Sequence, residues 1–142
     1  MTNGSAYSSY YEMLREEVTA YDGENAEFIH LAPGLYRLML ALLDDNRIKK
    51  RGRQLLGIAL GYLVAPYDII PEEIKGPAGY IDDVFVCLYV LKRMRRSLDD
   101  QVLVENWEDE GDILEILDTG YPKVRNAVKD IQKDILEYIG LR

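Results

Sequence analysis

One cysteine and one histidine are all that this 142-residue chain offers of the side chains most often recruited for nucleophilic and metal chemistry. With Cys87 alone no internal disulfide can form, and its place in the run VFVCLYVL suits a buried small hydrophobe rather than a reactive thiolate. That usage fits a reducing compartment, so a cytoplasmic protein is expected. With His30 alone a multi-histidine metal site is excluded, and a triad would need that residue beside Cys87 or a serine. No GxGxxG or Walker-type phosphate loop occurs, and no stretch alternates apolar and polar residues long enough for a strand. Positive charge is in deficit: a net charge of −8 argues against a general nucleic-acid binder, which needs a broad basic face. Long apolar runs are missing too. The run from Ile58 to Ala65 is broken by Gly61 and stops at Pro66, and Val84 to Leu91 is no longer; a spanning helix needs ~20 residues. The opening MTNGSAYSSYYEMLREE has neither a basic start nor an apolar core, so no secretory signal is expected and the Asn3-Gly4-Ser5 sequon is a chance match.

What is present is a globular composition, 48% hydrophobic and 30% charged, with enough length for one real core. The expectation is an all-α fold, a single domain over residues 1–142, with about five or six helices around a central antiparallel hairpin. That hairpin is Leu55 to Leu91, two apolar runs flanking a loop with three prolines, two glycines and five acidic residues. Before it, Tyr7, Tyr10, Tyr11, Leu14 and Val18 recur at helical spacing over residues 5–21. Asp22-Gly23 then stops that helix, the glycine suiting a left-handed exit. Pro33 fits the first turn of the next, whose Leu35, Leu38, Met39, Leu42 and Leu43 share a face.

The first hairpin helix starts in or just after Arg47–Arg53 and is ended by Pro66, because the residue before a proline is pushed out of helical geometry. Gly57 and Gly61, four apart, are expected to let another helix approach closely within the core. The second hairpin helix runs from near Asp82, with Asp82 or its neighbour as cap, through Arg96. Residues Asp99 to Asp118 hold nine acids and no base, but Leu103, Trp107, Ile113, Leu114, Ile116 and Leu117 anchor them, as two short helices broken at Gly111. A last helix from Pro122 carries Val124, Val128, Ile131, Ile135 and Ile139 on one stripe.

The pattern Tyr62-Leu63-Val64-Ala65-Pro66-Tyr67-Asp68-Ile69-Ile70-Pro71-Glu72, then Gly79-Tyr80-Ile81-Asp82-Asp83, resembles the YkvA-like family of small helical domains. The shared form is Y-L-x-x-P-x-D-x-I-P followed by G-x-x-D-D, across about a quarter of the chain. Glu72 stands where the family commonly has Asp. The resemblance implies a helical fold and brings no reaction with it.

Two groups of residues could carry function. Asp68, Glu72, Asp82 and Asp83, with Glu73 nearby, could offer carboxylate oxygens to Mg²⁺, Mn²⁺ or Ca²⁺ and so support metal-dependent hydrolysis. The same residues also serve as turn and cap residues, a structural reading that requires no cofactor. At the other end of an antiparallel hairpin, Arg47, Lys49, Lys50, Arg51 and Arg53 meet Lys92, Arg93, Arg95 and Arg96. The latter four suit the negative end of their helix. Together these nine could meet an anionic membrane or a phosphate backbone, unless the acidic stretch that follows neutralises them. The hairpin tyrosines, Tyr62, Tyr67, Tyr80 and Tyr89, read as packing residues whose hydroxyls reach carboxylates at the rim. The reading adopted is a non-catalytic interaction or adaptor domain, partnered by a protein or peripheral to an anionic membrane, with homo-oligomerisation left open. Its alternative is the metal site.

Overall fold

The computed structural model describes residues 3–64 and 79–141. Helical spacing of apolar residues becomes helix throughout, and no strand occurs among the described residues. The elements are α1 (Asn3–Thr19), α2 (Ala26–Ile29), α3 (Ala32–Leu43), α4 (Lys50–Val64), α5 (Tyr80–Arg95), α6 (Asp100–Asn106) and α7 (Ile113–Glu115). A π-helical turn (Ile116–Gly120), α8 (Tyr121–Ala127) and α9 (Gln132–Tyr138) complete them. Four long helices thus form the frame, and the described C-terminal part is divided into shorter pieces than the sequence pattern suggests. The expected last helix is two helices, interrupted over Val128–Ile131, where β-branched residues are weak helix formers. Both keep the stripe inward: Val124, Val128 and Ile135 are buried.

α5 is the mast. Ile81 through Leu88, then Val90, Leu91 and Met94, are all buried, which is the pattern of a helix enclosed on every side. It packs on α2, α3, α4, α8 and α9. Against it α4 buries Leu55, Leu56, Ala59, Tyr62 and Leu63, and α3 adds Leu35, Leu38, Met39 and Leu42. The hairpin is antiparallel: Tyr62 near the end of α4 bonds Asp82 in the first turn of α5, while Gly52 near its start lies against Met94. The stretch Ala26–Leu43, with mean hydropathy 1.3, has the length and composition of a membrane-crossing helix, yet 50% of it is buried inside the fold.

Three local expectations are corrected. The left-handed residue after α1 is Asn25 (φ 64°), a type that tolerates this region, and not Gly23. Gly57 and Gly61 do not pack in the core. Both are exposed, and a Cβ added to either meets nothing within 4 Å. The α4 residues that face inward are their neighbours on the opposite face. Asp82 is not the cap of α5: Gly79 holds that position and Asp82 lies three residues inside, drawn into the core. Gly111 breaks the acidic segment as expected, at φ 86°.

Candidate functional site at the two ends of the hairpin

At the tip of the hairpin, the period of α4 turns Tyr62 inward, and its hydroxyl donates to Oδ2 of Asp82 at 2.8 Å. Asp82 and Asp83 are 0% and 1% exposed, the two charged residue positions enclosed by the described fold. Two more phenols tie α1 to the same region. Tyr10 donates to the Leu63 carbonyl at 3.2 Å, and Tyr80 donates to Oε2 of Glu17 at 2.9 Å. Burial, then the bond to Glu17, holds the Tyr80 hydroxyl well above the usual phenol range. One turn beyond Asp83, the Cys87 thiol is pushed far up by burial and then by the Asp83 carboxylate, so it stays protonated and inert.

Of the expected acidic constellation, the structure therefore brings Asp82 and Asp83 together inside the core. Asp68 and Glu72, with Glu73, Pro66, Tyr67 and Pro71 of the same pattern, lie outside the described residues. Among the described residues no group of three or more His, Cys, Asp or Glu side chains is placed to hold a metal ion. His30 is exposed, its Nε2 2.7 Å from the Tyr21 carbonyl, while Cys87 is buried.

At the opposite end, the start of α4 and the end of α5 do converge, around a cleft of about 350 Å³. Arg47, Lys49 and Arg51 line one side of it, Arg93 and Arg96 the other, and among the described residues no carboxylate lines it. The acidic stretch neutralises part of this end only. Arg47 bridges Asp45 at 2.7 Å and Glu105 at 2.9 Å, and Arg95 bridges Asp100 at 2.8 Å and Asp118 at 2.7 Å. Asp45 is held far below the usual carboxylate range by the Arg47 side chain, then the Arg47 N–H, then Asn106. Arg53 donates to the carbonyls of Leu43 and Asp45, closing the α3–α4 turn. Lys92 sits over the Tyr121 ring at 5.2 Å and Arg93 over Tyr89 at 5.8 Å. Among the described residues, the side chains of Lys49, Lys50, Arg51 and Arg96 make no salt bridge, hydrogen bond or ring contact.

These cations differ in what explains them. Those ending α5 face the negative end of its dipole, which stabilises the helix. Those opening α4 crowd the positive end of theirs, with no acidic residue in the first turn. That is the reverse of what helix stability favours.

A second, larger cleft of about 500 Å³ lies between α1, α3 and the segment after α6. Part of its charge is spent internally: Arg37 pairs with Asp109 and Glu108 and stacks on Tyr11 at 4.6 Å. Sequence spacing could not have found that pairing, since its partners are 72 residues apart.

Comparison with known proteins agrees with the hairpin pattern. Residues 53–89 match the family described as "Protein of unknown function (DUF1232)", which is the YkvA-like resemblance. A protein named "Uncharacterized protein ORF9" from Methanothermobacter thermautotrophicus is 29% identical over 129 residues, covering 91% of this chain and 88% of that protein. No solved structure matches the chain.

Proposed function

We propose that this DUF1232-bearing chain is a small non-catalytic interaction domain of the cytoplasm that docks its basic end on an anionic membrane surface. The observation that supports this best is the set Lys49, Lys50 and Arg51, whose side chains have no partner among the described residues where the α4 dipole makes positive charge costly, with Arg96 facing them across the cleft. Departures from local stability rules concentrate at functional sites. A membrane suits this end better than a nucleic acid does. Among the described residues the cleft is lined by apolar Ile48, Leu55, Met94 and Leu98 and by no aromatic side chain for base stacking. A protein partner would meet the faces left free by this docking. Co-sedimentation with anionic and with zwitterionic vesicles, at low and at high salt, tests the reading. Binding to anionic vesicles alone, weakened by salt, supports it; equal sedimentation with both kinds, or none with either, ends it.

A second reading rests on the two adjacent carboxylates of Asp82 and Asp83 in an otherwise apolar core. A divalent cation is one way to neutralise such charge, with Asp68 and Glu72 as further oxygen donors. Melting temperatures with Mg²⁺, Mn²⁺, Ca²⁺ and Zn²⁺, in wild type, Asp68→Asn and Asp82→Asn, address it. A rise with one cation that both substitutions abolish supports a site; no rise with any cation removes the reading.

A further inference from the structure

We infer that the cleft between the start of α4 and the end of α5 binds the phosphate monoester headgroup of an anionic lipid, an inference that rests on the membrane reading above. Charge comes first. Of the five cations lining the cleft among the described residues, the side chains of Lys49, Arg51 and Arg96 have no partner there, whereas Arg47 is engaged by carboxylates and Arg93 by a tyrosine. Three uncompensated positive charges around one cavity match a phosphate monoester, which carries about −1.5 to −2 at neutral pH, better than a singly charged diester. The two guanidinium groups can each give paired N–H bonds to such a group.

Shape and polarity come next. The floor is apolar, made by Ile48, Leu55, Met94 and Leu98. A free anion gains nothing from those residues, but the glycerol and first acyl carbons of a lipid do. The cleft, at about 350 Å³, is much larger than a phosphate ion and falls at the small end of the range for bound organic ligands, roughly 300–1,000 Å³. Gly52 keeps it open at its base: a Cβ there would lie 2.9 Å from Ile48 and 3.3 Å from Met94. One side of the cleft comes from each hairpin helix, so packing of α4 on α5 sets the spacing of the cations.

The test compares vesicles of phosphatidylcholine containing phosphatidic acid with vesicles containing phosphatidylglycerol, adjusted to the same zeta potential and salt. The expected result is binding about tenfold tighter to phosphatidic acid, the difference one charge-assisted hydrogen bond makes. Arg51→Ala with Arg96→Ala should lower that binding to the phosphatidylglycerol level, while Lys129→Ala with Lys133→Ala on α9 and its lead-in leaves the preference intact. Circular dichroism of both double variants checks folding. In NMR titrations, soluble dihexanoyl phosphatidic acid should shift amides of 47–52 and 93–98 at concentrations where inorganic phosphate does not. Equal binding to both anionic vesicles overturns this inference and leaves the membrane reading standing. Absence of binding to either overturns both. Inorganic phosphate as effective as the soluble lipid overturns the lipid assignment.

Discussion

The hydroxyl of Tyr62 donates to Oδ2 of Asp82 at 2.8 Å inside the core, joining the end of α4 to the first turn of α5. A carboxyl group this deep depends on its hydrogen-bond partners. Tyr62→Phe removes one while preserving the ring, and should cost about 1–3 kcal/mol. Urea unfolding should show a lower midpoint with an unchanged slope. Tyr80→Phe loses a bond to Glu17 at the surface and should cost about 0.5 kcal/mol or less. Equal losses in the two variants would deny Asp82 its special dependence.

Cys87 offers a direct probe of opening. Its thiol is fully buried and held protonated, by burial first and Asp83 second. A disulfide reagent should label it only at the rate at which the core opens, so labelling should track urea concentration through the unfolding transition. Rapid labelling in native buffer would contradict the enclosed position of α5.

The glycines of α4 should respond in opposite directions. At Gly57 and Gly61 an added Cβ meets nothing within 4 Å, so Gly→Ala at either should raise stability by about 0.5–1 kcal/mol through helix propensity. At Gly52 the same change presses on Ile48 at 2.9 Å and should lower it. Thermal melts of the three variants decide this. Stabilisation by Gly52→Ala would mean that Ile48 yields freely.

Acid should weaken the fold at its charged turns. Asp45 and Asp100 are held below the usual carboxylate range, by Arg47 and by Arg95 respectively. A carboxyl group more acidic when folded contributes stability above its unfolded pKa of about 3.9, and loses it as pH falls through the folded value. Melting temperature should therefore fall below about pH 4. Asp45→Asn should flatten that fall; an unchanged slope would remove Asp45 from the account. The Asp100 side chain is half-exposed and that of Asp45 is mostly covered by its partners, so the Asp100 effect is the smaller and more salt-sensitive of the two.

Much of this arrangement is legible in the sequence because helices report their faces by spacing. The antiparallel hairpin, the gathered cations and the buried Cys87 all follow from where apolar runs start and stop. Gly57 and Gly61 show the limit. Spacing of four says that they share a face without saying which, although Leu55, Leu56, Ala59, Tyr62 and Leu63 already define the inward one. Asp82 shows another. A cap role there requires the helix to start at the first acid, whereas Gly79 caps α5 and leaves Asp82 inside it, within reach of Tyr62. Pairings such as Arg37 with Asp109, or Tyr80 with Glu17, depend on the packing of distant segments and leave no periodic trace.

Segregation of charge along the hairpin also gives the domain a compass. A body of net charge −8 is repelled by a like-charged sheet from afar, and attraction prevails only within a Debye length of about 8 Å with one pole forward. Adhesion would then be vectorial. With the cleft against the sheet, the 15 residues of α4 carry Tyr62 and Asp82 some distance outward, about 20 Å at the rise of an α-helix. The Tyr62–Asp82 bond would then lie on the side of the fold away from the bound surface.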